Sequence, residues 1–61
     1  MPPLTTKELT ALEDLLGGEQ LLVKKYQAYA NESEDQKIKV KCNMIAEKHQ
    51  QHFNTLMGCL K

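Results

Sequence analysis

Neither sign of charge is in excess in this chain: eight Lys plus Arg are balanced by eight Asp plus Glu. No long-range field is left to hold nucleic acid or an anionic surface, and neither is expected as a partner. Long apolar runs are missing as well. Stretches such as Leu21-Leu22-Val23 fall far short of the roughly 20 residues that cross a bilayer, so a soluble chain without membrane insertion is expected. Met1-Pro2-Pro3-Leu4 carries no basic region followed by an apolar stretch, which argues against a secretory signal and for cytoplasmic synthesis. Cysteine is scarce: Cys42 and Cys59 are too few for a disulfide framework. On one straight helix their separation of 17 residues amounts to about 25 Å, beyond disulfide reach. They remain as small buried hydrophobes or as cross-links between chains.

Enzymatic signatures are also missing. Leu16-Gly17-Gly18-Glu19 lacks the Lys and Ser or Thr of a phosphate-binding loop. Cys42 and His49 lie about 10 Å apart along a helix, too far for a nucleophile and its base. A non-enzymatic protein is expected. With 61 residues, 41% of them hydrophobic and 5% aromatic, the chain makes one domain. Folding alone, it hides only about 60% of the surface its unfolded form exposes, so assembly from several copies is expected.

What is there is helical periodicity. Thr5 and Glu8 stand at the spacing of a capping box, bracketed by Leu4 and Leu9 as a hydrophobic staple. Leu9, Leu12, Leu16, Glu19, Val23, Tyr26 and Ala30 then alternate steps of three and four, a seam that predicts a helix over about 6–31. Leu15, Leu22 and Tyr29 widen the stripe, and Leu21 points away. Asn31 to Gln36 contains no apolar residue, and Ser33 with Gln36 offers a second capping box, placing a turn at about 31–33. A second helix is predicted over about 34–60. Its seam is Ile38, Cys42, Ile45, His49, His52, Leu56 and Cys59, with Ala46, Phe53 and Leu60 alongside. Two such helices form an antiparallel hairpin. Because a hairpin has only one internal interface, each wide stripe stays partly wet unless a second hairpin covers it, which predicts a homodimeric four-helix bundle. Gly17 and Gly18 are costly in a helix interior, so they mark either a kink or break in the first helix or the close approach of another backbone beside Glu19.

The polar residues within these seams are Glu19 on the first helix and His49 and His52 on the second. His49-Gln50-Gln51-His52 puts two imidazoles one turn apart on a single helical face. Counted from a turn near Glu32, Glu19 is 13 residues away and His49 is 17, an axial offset of about 6 Å that side chains can bridge. Several readings stay open. One is a hydrogen-bonded polar layer that fixes register and oligomeric state. Another is a metal site at Glu19, His49 and His52, suited to zinc, iron, nickel or copper, either without catalysis or with redox or hydrolytic turnover. The last is a partly exposed pair. Glu47 projects almost opposite the seam and is not counted as a ligand. The lysines Lys24, Lys25, Lys37, Lys39 and Lys41 form an ordinary solvated face.

The chain resembles the spore coat protein F family, short ferritin-like helical proteins of spore-forming Firmicutes. The residues that carry the resemblance are Leu4-Thr5-Thr6-Lys7-Glu8-Leu9, the stretch from Asp14-Leu15-Leu16-Gly17-Gly18-Glu19 through Lys24-Lys25-Tyr26, and Glu47-Lys48-His49-Gln50-Gln51-His52-Phe53. The resemblance implies a structural component of the spore coat, made in the mother-cell cytoplasm, assembled on the forespore and contacting other coat proteins. Ferritin-like metal proteins pair a Glu on one helix with a Glu-x-x-His element on another. Glu19 matches the first, but His49 replaces the Glu of the second. That departure argues against a carboxylate-bridged di-iron centre and against oxidase activity. No cofactor is then expected of a coat component, while zinc or iron is expected if the seam is a metal site.

Overall fold

A computed structural model of the chain describes residues 3–60. The reading of Met1 and Pro2 as free of a targeting signal lies outside these residues, as does Lys61. The chain is an all-α hairpin of two helices, α1 (Thr6–Glu32) and α2 (Gln36–Gly58).

Each helix begins where a side chain satisfies otherwise orphaned backbone donors. At α1 the expected capping box is formed. The Glu8 amide donates to Thr5 Oγ1 at 3.1 Å, and the Thr5 amide donates to Glu8 Oε1 at 3.0 Å. The bond from the Thr5 backbone, seconded by the one involving its side chain, holds the Glu8 carboxyl below the ordinary glutamate range. At α2 the cap differs from the expected Ser33 and Gln36 pair. Asp35 is the N-cap, its Oδ1 accepting from the Lys37 amide at 2.8 Å and the Ile38 amide at 3.3 Å. Ser33 instead closes α1, donating its amide to the Tyr29 carbonyl at 3.0 Å. An ionised Asp is the stronger acceptor and also favours the positive end of the helix, which explains why the start moves to Gln36.

That shift changes the register. Glu34 is the middle of the Ser33 to Asp35 connection, and Glu19 and His49 each lie fifteen residues from it. The two residues therefore face one another at the same level, without the axial offset expected from a turn near Glu32.

On α1 the buried residues Leu12, Leu16, Val23 and Ala30 follow the expected seam, apart from Leu9, which is exposed. On α2 the line meeting α1 is rotated. It runs through the buried Cys42 and Ala46 and the half-buried His49, Phe53 and Leu56, whereas Ile38, His52 and Cys59 are exposed. The apolar stripe of α2 is broader than one interface, and the hairpin uses only the edge carrying Ala46 and Phe53. Small side chains at Cys42 and Ala46 let the helices come close there.

The other edge stays open. A groove lined by Leu15, Glu19, His52, Thr55 and Leu56 lies on one broad side of the hairpin. Two-turn spacing places Leu22 and Tyr29 on the side of Leu15, and Ile45 and Ile38 on the side of His52. Leu15, Tyr29 and Ile38 are exposed, and Leu22 and Ile45 half-buried. The opposite broad side carries Gln20, Gln27, Asn43 and Gln50, all exposed.

The Cα envelope measures 48 × 16 × 10 Å, a single layer of helices. Its radius of gyration is 14.5 Å, against about 10.5 Å for a compact chain of this length. Among the described residues no large side chain is fully buried, as expected of one layer, since a core needs two.

α1 passes through Gly17 and Gly18 without a break. A Cβ added at either would meet nothing within 4 Å, so within one chain neither glycine serves a close approach. Gly17→Ala is therefore expected to stabilise the hairpin by about 1 kcal/mol through helix propensity alone. Urea unfolding measures this, and a loss of stability would mean that the position requires glycine.

Candidate metal centre

Glu19 sits at the middle of α1, with thirteen residues of the helix before it and thirteen after. The 3,4 seam aims its side chain at α2, where His49 stands opposite. Glu19 Oε2 lies 2.6 Å from His49 Nδ1, a charge-assisted hydrogen-bond distance. One turn further along α2, His52 Nδ1 lies 3.6 Å from Glu19 Oε1, too far for a hydrogen bond. Each oxygen of the carboxylate thus faces a different imidazole.

The cluster is graded in exposure. The Glu19 side chain is 19% exposed and that of His49 23% exposed. His52 is 61% exposed, opening the cluster towards the groove beside Leu15 and Leu56. The Tyr26 ring lies nearly parallel to His49, with centroids 6.2 Å apart and 11° between planes. His52 meets His49 edge to face at 5.6 Å and 86°. His49 is therefore held between two rings, which restricts the directions in which its nitrogens point. Periodicity put Tyr26 in the seam, but its contact with His49 depends on the register of the two helices, which the sequence pattern leaves open. Its place seven residues after Glu19 on the same face was the available signal.

One donor atom each from Glu19, His49 and His52 lie within 4.8 Å of one another. Metal–nitrogen and metal–oxygen bonds of about 2.0–2.1 Å around a tetrahedral ion put its ligands about 3.3 Å apart. The separations of 2.6 Å and 3.6 Å are made to different oxygens of Glu19, and the three donors lie within 4.8 Å of one another, so they must draw together to share one ion. Two imidazoles and a carboxylate form a set used by zinc and iron, with at least one position left for another ligand.

Glu47 is exposed and stands outside the cluster. Cys42 is buried and Cys59 exposed, and both are free thiols. Lys25 lies over the Tyr29 ring, 5.8 Å from its centroid, and the lysines named above otherwise face solvent or, in the case of Lys39, are half-buried. Among the described residues no helix is long and apolar enough to cross a membrane. No protein-family model, no curated protein and no solved structure matches the chain.

Proposed function

We propose that this chain is a small helical metal-binding protein that holds one transition-metal ion per chain through Glu19, His49 and His52. The observation that carries the reading is the placement of His52. A polar layer that only fixes register is complete with the Glu19 and His49 pair. The second imidazole adds no hydrogen bond, yet its Nδ1 comes to 3.6 Å from the free carboxylate oxygen. Three donors converging where two would satisfy each other is the arrangement an ion needs. Zinc is the first candidate and iron the second. With one carboxylate the site suits a single ion, and binding, without turnover, is the activity proposed.

The test is elemental analysis of untagged protein purified without chelator, beside His52→Leu. Wild type is expected to carry stoichiometric zinc or iron, and the variant to lose it while keeping its helical circular dichroism. His52 is mostly exposed, and leucine extends the neighbouring apolar surface, so the fold tolerates the change. Equal metal content in the two proteins would remove His52 from the site. Metal-free wild type that also takes up no added zinc or iron would leave Glu19 and His49 as a register-setting pair.

The open apolar side favours a second reading, which is compatible with the first. A layer with Leu15, Leu22, Tyr29, Ile38 and Ile45 along one side suits a chain that assembles, and we propose a homodimeric, ferritin-like four-helix bundle. The resemblance to spore coat protein F would give that assembly its setting as a non-enzymatic coat component, made in the mother cell and contacting other coat proteins. Expression confined to sporulating cells is the measurement that would support this setting, and expression in vegetative growth would remove it.

A further inference from the structure

The metal cluster and the open apolar side are parts of one surface. His52, the most exposed of the donors, borders the same groove as Leu15 and Leu56. Leu22, Ile45, Tyr29 and Ile38 continue that surface towards the turn.

The amount of surface left open is informative. The accessible area is 5069 Å², whereas a compact monomer of 7.0 kDa has about 4,000 Å². The difference, about 1,000 Å² per chain, is comparable to the roughly 800 Å² that each partner contributes to a stable interface. Leu15, Tyr29 and Ile38 contribute to it on the open side, where Lys41 and Lys48 flank Ile45, opposite a side carrying Gln20, Gln27, Asn43 and Gln50; Leu21, Val40 and Met44 are exposed as well. Gly18, exposed and on the flank of Leu15 and Leu22, adds room for a neighbouring helix.

The position of the cluster along the rod decides what a second copy would meet. Glu19 is the central residue of α1, and His49 lies level with it across the hairpin. Two equal rods bury most surface when their midpoints coincide. In a two-fold pair this holds whether the hairpins run parallel or antiparallel, so full overlap brings the two clusters to the same level. A two-fold interface is self-complementary, and groups near its axis meet their own copies. Each cluster then opens towards the donors of the other.

We propose that a second copy of this chain covers the apolar side and completes the metal site, so that metal binding and self-association are one linked equilibrium. The inference rests on the metal-binding reading of Glu19, His49 and His52, and adds the partner and the regulation of that site. The apo chain associates weakly through the apolar side alone. An ion held by three donors of one chain leaves one oxygen of that chain's Glu19 carboxylate to serve the ion of the other, a further ligand that exists only in the dimer. Linkage is reciprocal: the factor by which dimerisation tightens metal binding equals the factor by which metal tightens the dimer.

Zinc titration at low and high protein concentration, with mass measured by analytical ultracentrifugation, tests the linkage. Zinc is expected to strengthen dimerisation about tenfold or more, within the usual range for coupled sites. Apparent zinc affinity is expected to rise with protein concentration in the same proportion. Ile38→Glu places a charge on the apolar side, eleven residues from His49, roughly 16 Å along α2. It is expected to abolish the dimer and weaken zinc binding about tenfold or more, although it touches no donor. Leu21→Glu, on the far side of α1, is expected to change neither, and circular dichroism confirms that both variants remain helical.

The outcomes separate the two levels of inference. Zinc bound at one per chain, with an affinity independent of protein concentration and of Ile38→Glu, would overturn the linkage and leave the metal site standing. A zinc-loaded chain that stays monomeric would overturn the proposal. A dimer that takes up no zinc would overturn the metal-binding reading, and the linkage with it.

Discussion

Glu19→Gln is expected to abolish the stabilisation that metal confers while leaving the apo hairpin folded. Glutamine has nearly the same shape as glutamate, and its amide can still hydrogen-bond to the His49 ring, so the contact across the helices survives. What is lost is the anionic oxygen donor. A ligand that binds only the folded state contributes RT ln(1 + [L]/Kd), about 2.7 kcal/mol when free metal is a hundred times Kd. For a domain this small each kcal/mol moves the melting temperature by about 4–8 °C, so saturating zinc is expected to raise that of the wild type by roughly 10–20 °C. The variant is expected to move by no more than about 2 °C, since two imidazoles alone bind far more weakly. Thermal denaturation followed by circular dichroism, with and without zinc, makes the comparison. Equal shifts in the two proteins would place the ion elsewhere, and a variant that fails to fold without metal would identify the carboxylate as structural.

Much of α1 was legible because several constraints agree over Thr5 to Ala30. The Thr5 and Glu8 box marks its start, and the alternation of threes and fours through Leu12, Leu16, Glu19, Val23 and Ala30 defines one narrow line. α2 was less legible for a geometric reason. Its apolar residues form a stripe with two edges, Ile38 and Ile45 on one and Ala46 and Phe53 on the other. Periodicity locates such a stripe without saying which edge meets the neighbouring helix. The hairpin chose Ala46 and Phe53, leaving Ile38 and His52 exposed.

The site was visible for the converse reason, since Glu19, His49 and His52 were polar exceptions within apolar seams. Their mutual distances depended on the turn. Moving its centre from Glu32 to Glu34 removes an offset of about 6 Å, at 1.5 Å per residue, and makes the contact between Glu19 and His49 direct. A two-residue uncertainty in a helix start is ordinary. Here it decides whether a carboxylate and an imidazole touch.

Leu16→Ala and Leu21→Ala make the same chemical change five positions apart on α1, with opposite expected results. Leu16 is 8% exposed on the line that packs against α2, one turn before Glu19, whereas Leu21 is 70% exposed on the far side. Truncating a buried leucine removes its transfer free energy and leaves a cavity, a loss of about 2–5 kcal/mol. A chain of this length has a total stability of about 3–9 kcal/mol at the usual 0.05–0.15 kcal/mol per residue. Leu16→Ala is therefore expected to remove a large share of the stability, with much of the helical signal lost at room temperature. Because Glu19 is brought to His49 by the same packing, metal affinity should fall with it, and added zinc should restore part of the helix by binding the folded state. Leu21→Ala loses no buried contact and gains slightly in helix propensity, so its stability is expected to stay within about 0.5 kcal/mol of wild type. Urea unfolding of the three proteins gives the comparison. If Leu16→Ala costs no more than Leu21→Ala, the line through Leu12, Leu16, Val23 and Ala30 does not hold the helices together, and the placement of Glu19 opposite His49 fails with it.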